Sequence, residues 1–364
     1  MKIAVLGGGN GSFAAAGDFA LQGHEVRLWR RDVEAVAAHR AAGGTVTVKD
    51  FAGTQDVTLA LVTTDIAEAV KGVDLILCPA PATAQHDIAL KLAPHLADGQ
   101  VVYLPPGTFG SVIFAKAAHE AGNTARVAYA ETGTLPWLTR KHGPHEVAIT
   151  IRAKRLPTGV FPLTQHDHAL EVIGQAFPGV VEDCGDALSA ALMNAGPIIH
   201  PPLITMNAGP LEHFERWDIH KEGTQPAIRR VTDALDGERI AVRQAFGYGA
   251  PHFPLADHYA KSGPEWMYGR GSHDKLTDSG DWREHIVLTE HRYMREDTRI
   301  GLSFLVSVGA LVGLDMRLAR GFLAIGGAVC GEDFMAAGRT LDSIGLGALD
   351  RVQLQALLRV GFGG

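Results

Sequence analysis

The chain has 364 residues, of which 46% are hydrophobic and 20% charged, with a formal net charge of −7. That length predicts two domains with sizeable cores, and an acidic chain with no long Lys/Arg cluster excludes a nucleic-acid or membrane-surface role. The three cysteines, Cys78, Cys184 and Cys330, lie far apart with no metal-ligand spacing, which predicts reduced thiols in a cytoplasmic protein.

In chain order, the N-terminal MKIAVLGGGNGS is not expected to be a secretory signal, because its apolar run is short and passes into glycines. KIAVL (2–6) suits a buried strand, GGGNG follows at once, SFAAAGDFALQG has helical spacing ending at Gly23, and HEVRLW suits the next strand. A glycine turn between a strand and a helix is the context of dinucleotide binding. Gly7 permits the tight turn and Gly9 lets a pyrophosphate approach. The amides at the helix start (Asn10, Gly11, Ser12) point at the phosphates. Ser12 stands where the fingerprint carries its third glycine. The second strand ends in WRRD, so Arg30 and Arg31 occupy the region where an acidic residue usually holds a free ribose 2′-hydroxyl. Guanidinium groups pair with a 2′-phosphate, which favours NADP(H). Asp32, two residues beyond Arg30, keeps NAD(H) open.

VDLILCPAP (73–81), QVVYLPPGTFGS (100–111) and ARVAYAETGTLP (125–136) continue the strands, with helical stretches between them. Alternation of this kind predicts a parallel sheet with its ligand at the strand C-termini. Pro81, Glu131 and Thr132 are thereby placed near the nicotinamide end. HEVAITIRAKR and QAFPGVVEDCG add strand-like material that closes the first domain, residues 1–185.

Residues 186–364 read as helical. ALSAALMNAGPIIHPPLITMNAGPLEHF is a helical pattern interrupted by Pro197 and Pro201–Pro202, and proline disfavours the α conformation in the residue before it. His200 is therefore expected at a break in the helix. PAIRRVTDALDGERIAVRQAF (226–246) predicts a long helix, and 247–282 an irregular, Gly-, His- and aromatic-rich stretch. EHRYMREDTRIGLSFLVSVGALVGL starts polar and becomes apolar, as a helix entering a core does. Its apolar part is too short for a membrane span. Seventeen histidines invite a metal reading, but no H-x-x-x-H helix motif or Cys/His pairing supports one. The fold class is α/β: a doubly wound parallel sheet of the Rossmann type, followed by an all-helical C-terminal domain. That layout suits a two-domain dehydrogenase and does not by itself choose a substrate.

Three segments together, GGGNGSFAAAGDFALQGHEVRLW, NAGPIIHPP and HRYMRED, resemble the octopine/nopaline (opine) dehydrogenase family, and the similarity extends to GRTLDSIGL near the C-terminus. The resemblance implies an NAD(P)H-dependent enzyme that joins an amino acid to a pyruvate-like 2-oxo acid. It implies a histidine–aspartate pair, His200 and Asp297, for the proton, and Arg292 for a substrate carboxylate. An asparagine near the histidine is expected as well. Here the position four before His200 is Gly196, and Asn194 lies six before. The chemistry agrees with these assignments. Oxidation must remove a proton from the substrate nitrogen, and an imidazole held by a carboxylate serves both directions. On a continuous α-helix Arg292 and Asp297 would lie roughly 140° apart, whereas Glu296, at i+4, could pair with Arg292. The expected partners are small-molecule substrates, with a homodimer through the helical domain compatible with the sequence. The rival readings are a two-domain dehydrogenase of a hydroxy acid or sugar phosphate, and a dinucleotide-binding sensor without turnover.

Overall fold

The computed structural model describes residues 1–363 and divides into two compact units, the first formed by Met1–Ala191 and the chain from Leu357 onward, the second by Leu192–Ala356. The boundary therefore falls six residues beyond the expected 185, and the last turns of chain belong to the first unit.

All strands of the first unit lie between residues 2 and 186: β1 (Lys2–Leu6), β2 (Glu25–Trp29), β3 (Thr45–Asp50), β4 (Gly53–Thr58), β5 (Leu61–Thr63), β6 (Leu75–Leu77), β7 (Val101–Leu104), β8 (Ala128–Thr132), β9 (Trp137–Lys141), β10 (Glu146–Arg152), β11 (Leu156–Phe161) and β12 (Val181–Asp186). Eight form one sheet in the order β12-β11-β8-β7-β6-β1-β2-β5. Its neighbours are parallel except β8 and β11. Ile3 to Leu6 of β1 are fully buried, as a central strand covered on both faces requires. The strand order reverses at β1, between β2 and β6, which makes the end of β1 the switch point where such sheets bind ligands.

A second, four-stranded sheet in the order β4-β3-β10-β9 was not legible beforehand. It packs on the helix Asn10–Leu21 from the side opposite β1 and β2. Gly11 to Phe19 are consequently all buried, so this helix lacks the polar face a surface helix shows. Gly17 is the contact point, since a Cβ there would collide with Val48. Asp18 ties the helix to the second sheet, accepting from Trp137 Nε1 at 2.7 Å and Arg152 Nε at 2.8 Å.

In the second unit the main helices are Gly196–Met206, Pro226–Ala245, Tyr293–Leu302, Ser303–Leu311 and Arg317–Cys330. Its only β feature among the described residues is an isolated bridge between Trp217 and Glu284. Two expectations are corrected here. The helix Gly196–Met206 runs through Pro201 and Pro202, so His200 is helical and does not sit at a break. The proline preference is overridden by close packing against Tyr293–Leu302. A Cβ at Gly301 would strike Pro197, and one at Gly196 would strike Asp297. Tyr293–Leu302, for its part, is a π-helix. Its i→i+5 bonding brings residues five apart round to nearly the same face. Arg292, at its N-cap, and Asp297 are therefore not splayed as an α-helix would splay them. The irregular stretch after residue 246 is pinned by Arg239, which pairs with Asp236 at 2.6 Å and donates to the carbonyls of Leu192 at 2.8 Å and His252 at 2.9 Å.

No helix among the described residues is long and apolar enough to cross a membrane.

Candidate active site

The first unit carries a nucleotide cradle at the end of β1. The amide of Gly7 continues the ladder by donating to the Trp29 carbonyl at 2.9 Å. Gly7 then turns with φ at +132°, and a Cβ there would lie 2.5 Å from Ser12 Oγ. Ser12 thus closes against Gly7, the contact that its small side chain permits. Gly9 is the N-cap of the helix Asn10–Leu21 and provides no side-chain cap. A Cβ at Gly9 would meet nothing within 4 Å. The first amides of the helix accordingly border open space, as a pyrophosphate needs. Gly11 packs instead on Leu135 and Pro79, and Asn10 Oδ1 accepts from the amide of Lys141 at 3.0 Å. Pro81 is the N-cap of the helix Ala82–Leu92 that follows β6. These residues fit a bound nicotinamide dinucleotide. Arg30 folds back over the loop, its Nε 2.8 Å from where a Cβ of Gly8 would be, whereas Arg31 is exposed.

Glu131 and Thr132 are corrected. Both are wholly buried in β8. The Glu131 carboxylate accepts from the amides of Phe109 at 2.8 Å and Ser111 at 3.0 Å and from Ser111 Oγ. It anchors the loop after β7, where Thr108 and Phe109 have positive φ, and the start of the helix Gly110–Glu120. Thr132 lies in register with Thr158 of β11. Neither side chain is exposed; both lie inside the sheet, on a strand flanked by β7 and β11.

In the second unit, His200 and Asp297, 97 residues apart, meet with Nδ1 2.8 Å from Oδ2. Their side chains are 12% and 9% exposed, so the pair is shielded yet reachable. The imidazole stacks on Tyr293, centroids 3.7 Å apart and planes at 14°, and His220 stands edge-on to it at 5.8 Å. The ring is held on two sides and hydrogen-bonded at Nδ1. Burial pushes the Asp297 carboxyl up to about 7, against a downward pull from Arg292.

Asn194 sits beside this pair, 6% exposed, with Oδ1 accepting from the Gly196 amide at 3.0 Å. Its visible role is to fix the helix start under Asp297. Arg292 is more than half exposed, with its guanidinium 5.3 Å from the Tyr293 ring centre and Nη1 3.9 Å from Glu296 Oε2. The i,i+4 pair is present only at the outer limit of an ion pair, so it does not lock the arginine. Tyr293, His220 and Gly301 were not singled out from the sequence. Tyr293 lies inside the segment HRYMRED, but ring stacking across 93 positions leaves no local signal. Among the described residues no group of three or more His, Cys, Asp or Glu side chains is arranged to hold a metal.

Each of these two parts is similar to known dehydrogenases. Residues 183–330 match the family model of the NAD/NADP octopine/nopaline dehydrogenase α-helical domain, and residues 2–127 match that of the NAD-dependent glycerol-3-phosphate dehydrogenase N-terminus. An opine dehydrogenase of Arthrobacter sp. (strain 1C) is 29% identical over 95% of both chains. The chain is thus similar to opine dehydrogenases over nearly its whole length. Its fold agrees with octopine dehydrogenase solved with NADH and L-arginine, at a TM-score of 0.71 and 19% identity, covering 97% of this chain and 98% of that one. Yersinopine dehydrogenase solved with NADP+ gives a TM-score of 0.65 at 14% identity, covering 98% and 97%. Opine dehydrogenases therefore share both units seen here, the nucleotide-binding sheet and the helical unit.

Proposed function

We propose that His200 is the general acid and base of this enzyme, Asp297 its orienting partner, and Arg292 a contact for a substrate carboxylate. The enzyme is an NAD(P)-dependent oxidoreductase acting on a CH–NH bond. It joins a 2-oxo acid to the amino group of an amino acid, and runs the reverse oxidation. The substrate classes are supported by octopine dehydrogenase, which has been solved with L-arginine and with pyruvate. The observation that carries the assignment is the 2.8 Å bond between His200 Nδ1 and Asp297 Oδ2.

The amine and the carbonyl carbon lose water to form a C=N bond. Two electrons then reach that carbon as hydride, and the nitrogen ends with a proton. The dinucleotide supplies the hydride, or takes it in reverse. With Nδ1 turned to the carboxylate, Nε2 is the nitrogen that exchanges protons with substrate. Asp297 fixes the tautomer and stabilises the imidazolium. Help of this kind is worth about 10²- to 10⁴-fold. Arg292, exposed and only loosely paired, suits bidentate capture of a carboxylate.

The coenzyme preference we infer is NADP(H). Arg30 Nε is buried without a hydrogen-bond partner among the described residues. Asp32, the acidic residue suited to a free 2′-hydroxyl, is engaged as the N-cap of the helix Val33–Ala41, accepting from the Ala35 amide at 2.9 Å. The test is a screen of NADPH and NADH oxidation with pyruvate against the amino acids singly, with products weighed by mass spectrometry. A secondary amine whose mass equals both substrates less water plus two hydrogens supports the reading. Turnover with an oxo acid alone, giving only the hydroxy acid, refutes it.

A further inference from the structure

A second cluster of basic groups lies beside the nucleotide cradle, and the activity just described makes no use of it. Its hub is Phe13, fully buried in the first turns of the helix Asn10–Leu21. Lys141 Nζ stands 3.9 Å from the ring centre and the Arg30 guanidinium 5.4 Å from it. His39 stacks on the same ring at 5.7 Å, and His145 stacks on His39 at 4.2 Å with planes 12° apart. Four basic side chains thus come from four elements: the end of β2, the helix Val33–Ala41, the end of β9 and the residue preceding β10.

Opposite charge is scarce around them. Asp32 acts on Arg30 but caps its own helix. Glu146, next to His145, pairs with Lys49 of β3 at 2.5 Å. His39 is wholly buried, with Nε2 at 2.9 Å from the Thr45 carbonyl. That nitrogen must carry the hydrogen, which leaves the buried Nδ1 without a partner. Burial, then mutual repulsion, hold Lys141 and His145 below their usual ranges, with Arg30 acting on both and Lys141 also on His145. Like charges held together in half-buried positions disfavour their own charged forms, and an anion relieves them. The hairpin that carries two of them is fixed to the cradle, because Asn10 Oδ1 holds the Lys141 amide. Arg30 lies against Gly8 of the same cradle. The end of the second strand is where the adenosine ribose of a dinucleotide sits.

We propose that Lys141 and His145, on the β9–β10 hairpin, complete with Arg30 a seat for the 2′-phosphate of NADP(H), and that His145 takes up a proton when that phosphate arrives. The proposal rests on the NADP(H) reading above and adds to it two residues and a proton. The sign follows from the surroundings. Without the phosphate, Arg30 and Lys141 keep His145 neutral. A dianion at their centre reverses the balance and favours the imidazolium. NADPH affinity then rises as pH falls from 8 towards 6.5, and NADH affinity does not follow it.

The test is calorimetric titration of the full chain with NADPH and with NADH, in phosphate-free buffers of different ionisation enthalpy, at pH 8 and 6.5. Proton uptake with NADPH and none with NADH is expected. Lys141→Met should lower the ratio of NADPH to NADH affinity about tenfold, the loss of one charge-assisted contact. His145→Asn should lower the ratio and abolish the uptake, which separates the imidazole from the phosphate's own titration. NADH binding by each variant reports that the cradle is folded. If wild-type protein prefers NADPH but both variants keep the ratio and the uptake, the inference fails and the coenzyme reading stands. If NADH binds more tightly than NADPH at both pH values, both fail.

Discussion

Gly196 is the position where a single methyl group should disable the proposed proton pair without touching either member. A Cβ there falls within the van der Waals envelope of Asp297 Oδ1, 3.2 Å from its Cγ and 3.3 Å from Asn194 Oδ1. Ordinary carbon contacts want about 3.5–4.0 Å, so the carboxylate must retreat by roughly 1 Å. The helix cannot retreat in its place, because Gly301 already brings the π-helix against Pro197. A shift of that size stretches the 2.8 Å bond to His200 beyond useful range. A hydrogen bond to a charged group is worth about 1.5–3 kcal/mol, or roughly 10- to 150-fold in rate. Overpacking adds about 1–3 kcal/mol of destabilisation. Gly196→Ala should therefore lower kcat within that range and lower the thermal midpoint by several degrees. In an Asp297→Ala background the methyl has room, so its added stability cost should fall below about 0.5 kcal/mol. The assays are steady-state kcat in the reductive direction and thermal unfolding of the four proteins of the cycle. Gly196→Ala with wild-type kcat and midpoint would refute the reasoning, as would equal costs in both backgrounds.

Three further outcomes follow from the same structure. Gly9→Ala meets no protein atom within 4 Å, so the free protein should unfold at the wild-type temperature while dinucleotide affinity, measured by fluorescence titration, falls at least tenfold. Glu131→Gln weakens the buried acceptor of the Phe109 and Ser111 donors and should cost about 1–3 kcal/mol in chemical unfolding. His258, buried against Trp266 and near His273 and Arg229, has its pKa pushed down to about 3, chiefly by burial. The unfolded chain then binds one proton more than the native state between about pH 6.5 and 3. Its contribution is complete above that window and is lost as pH falls through it, by up to about 1.4 kcal/mol per pH unit. His258→Asn should flatten this slope in urea unfolding measured across the window.

Much of the nucleotide unit was legible in the sequence because its signals are local. KIAVL followed by GGGNG states a buried strand and a turn within twelve residues. The four-stranded second sheet was missed because β9 and β10 pair across a chain segment distant from β3 and β4, and only the burial of the helix between the sheets records it. For the same reason Glu131 and Thr132 were misjudged: a polar residue at a strand end reads alike whether it faces a ligand or anchors a loop from beneath. In the helical unit the resemblance led to His200, Asp297 and Arg292, while the geometry around them lay outside any local rule. Pro201 and Pro202 argued for a break that packing overrides. An α-helical wheel misplaced Arg292 relative to Asp297, because no sequence rule foresees a π-helix from Tyr293 to Leu302. Gly196 looked like a departure from the expected asparagine pattern, and its lack of a side chain is what admits the Asp297 carboxylate.

The central claim is that the His200 imidazole, held by Asp297, moves the proton. Its most direct test is the single-turnover rate of His200→Gln in both directions, with dinucleotide saturating and its dissociation constant measured alongside. The account predicts a loss of about 10²- to 10⁴-fold with the dissociation constant within threefold of wild type. A variant that turns over within threefold of the wild-type rate would contradict it.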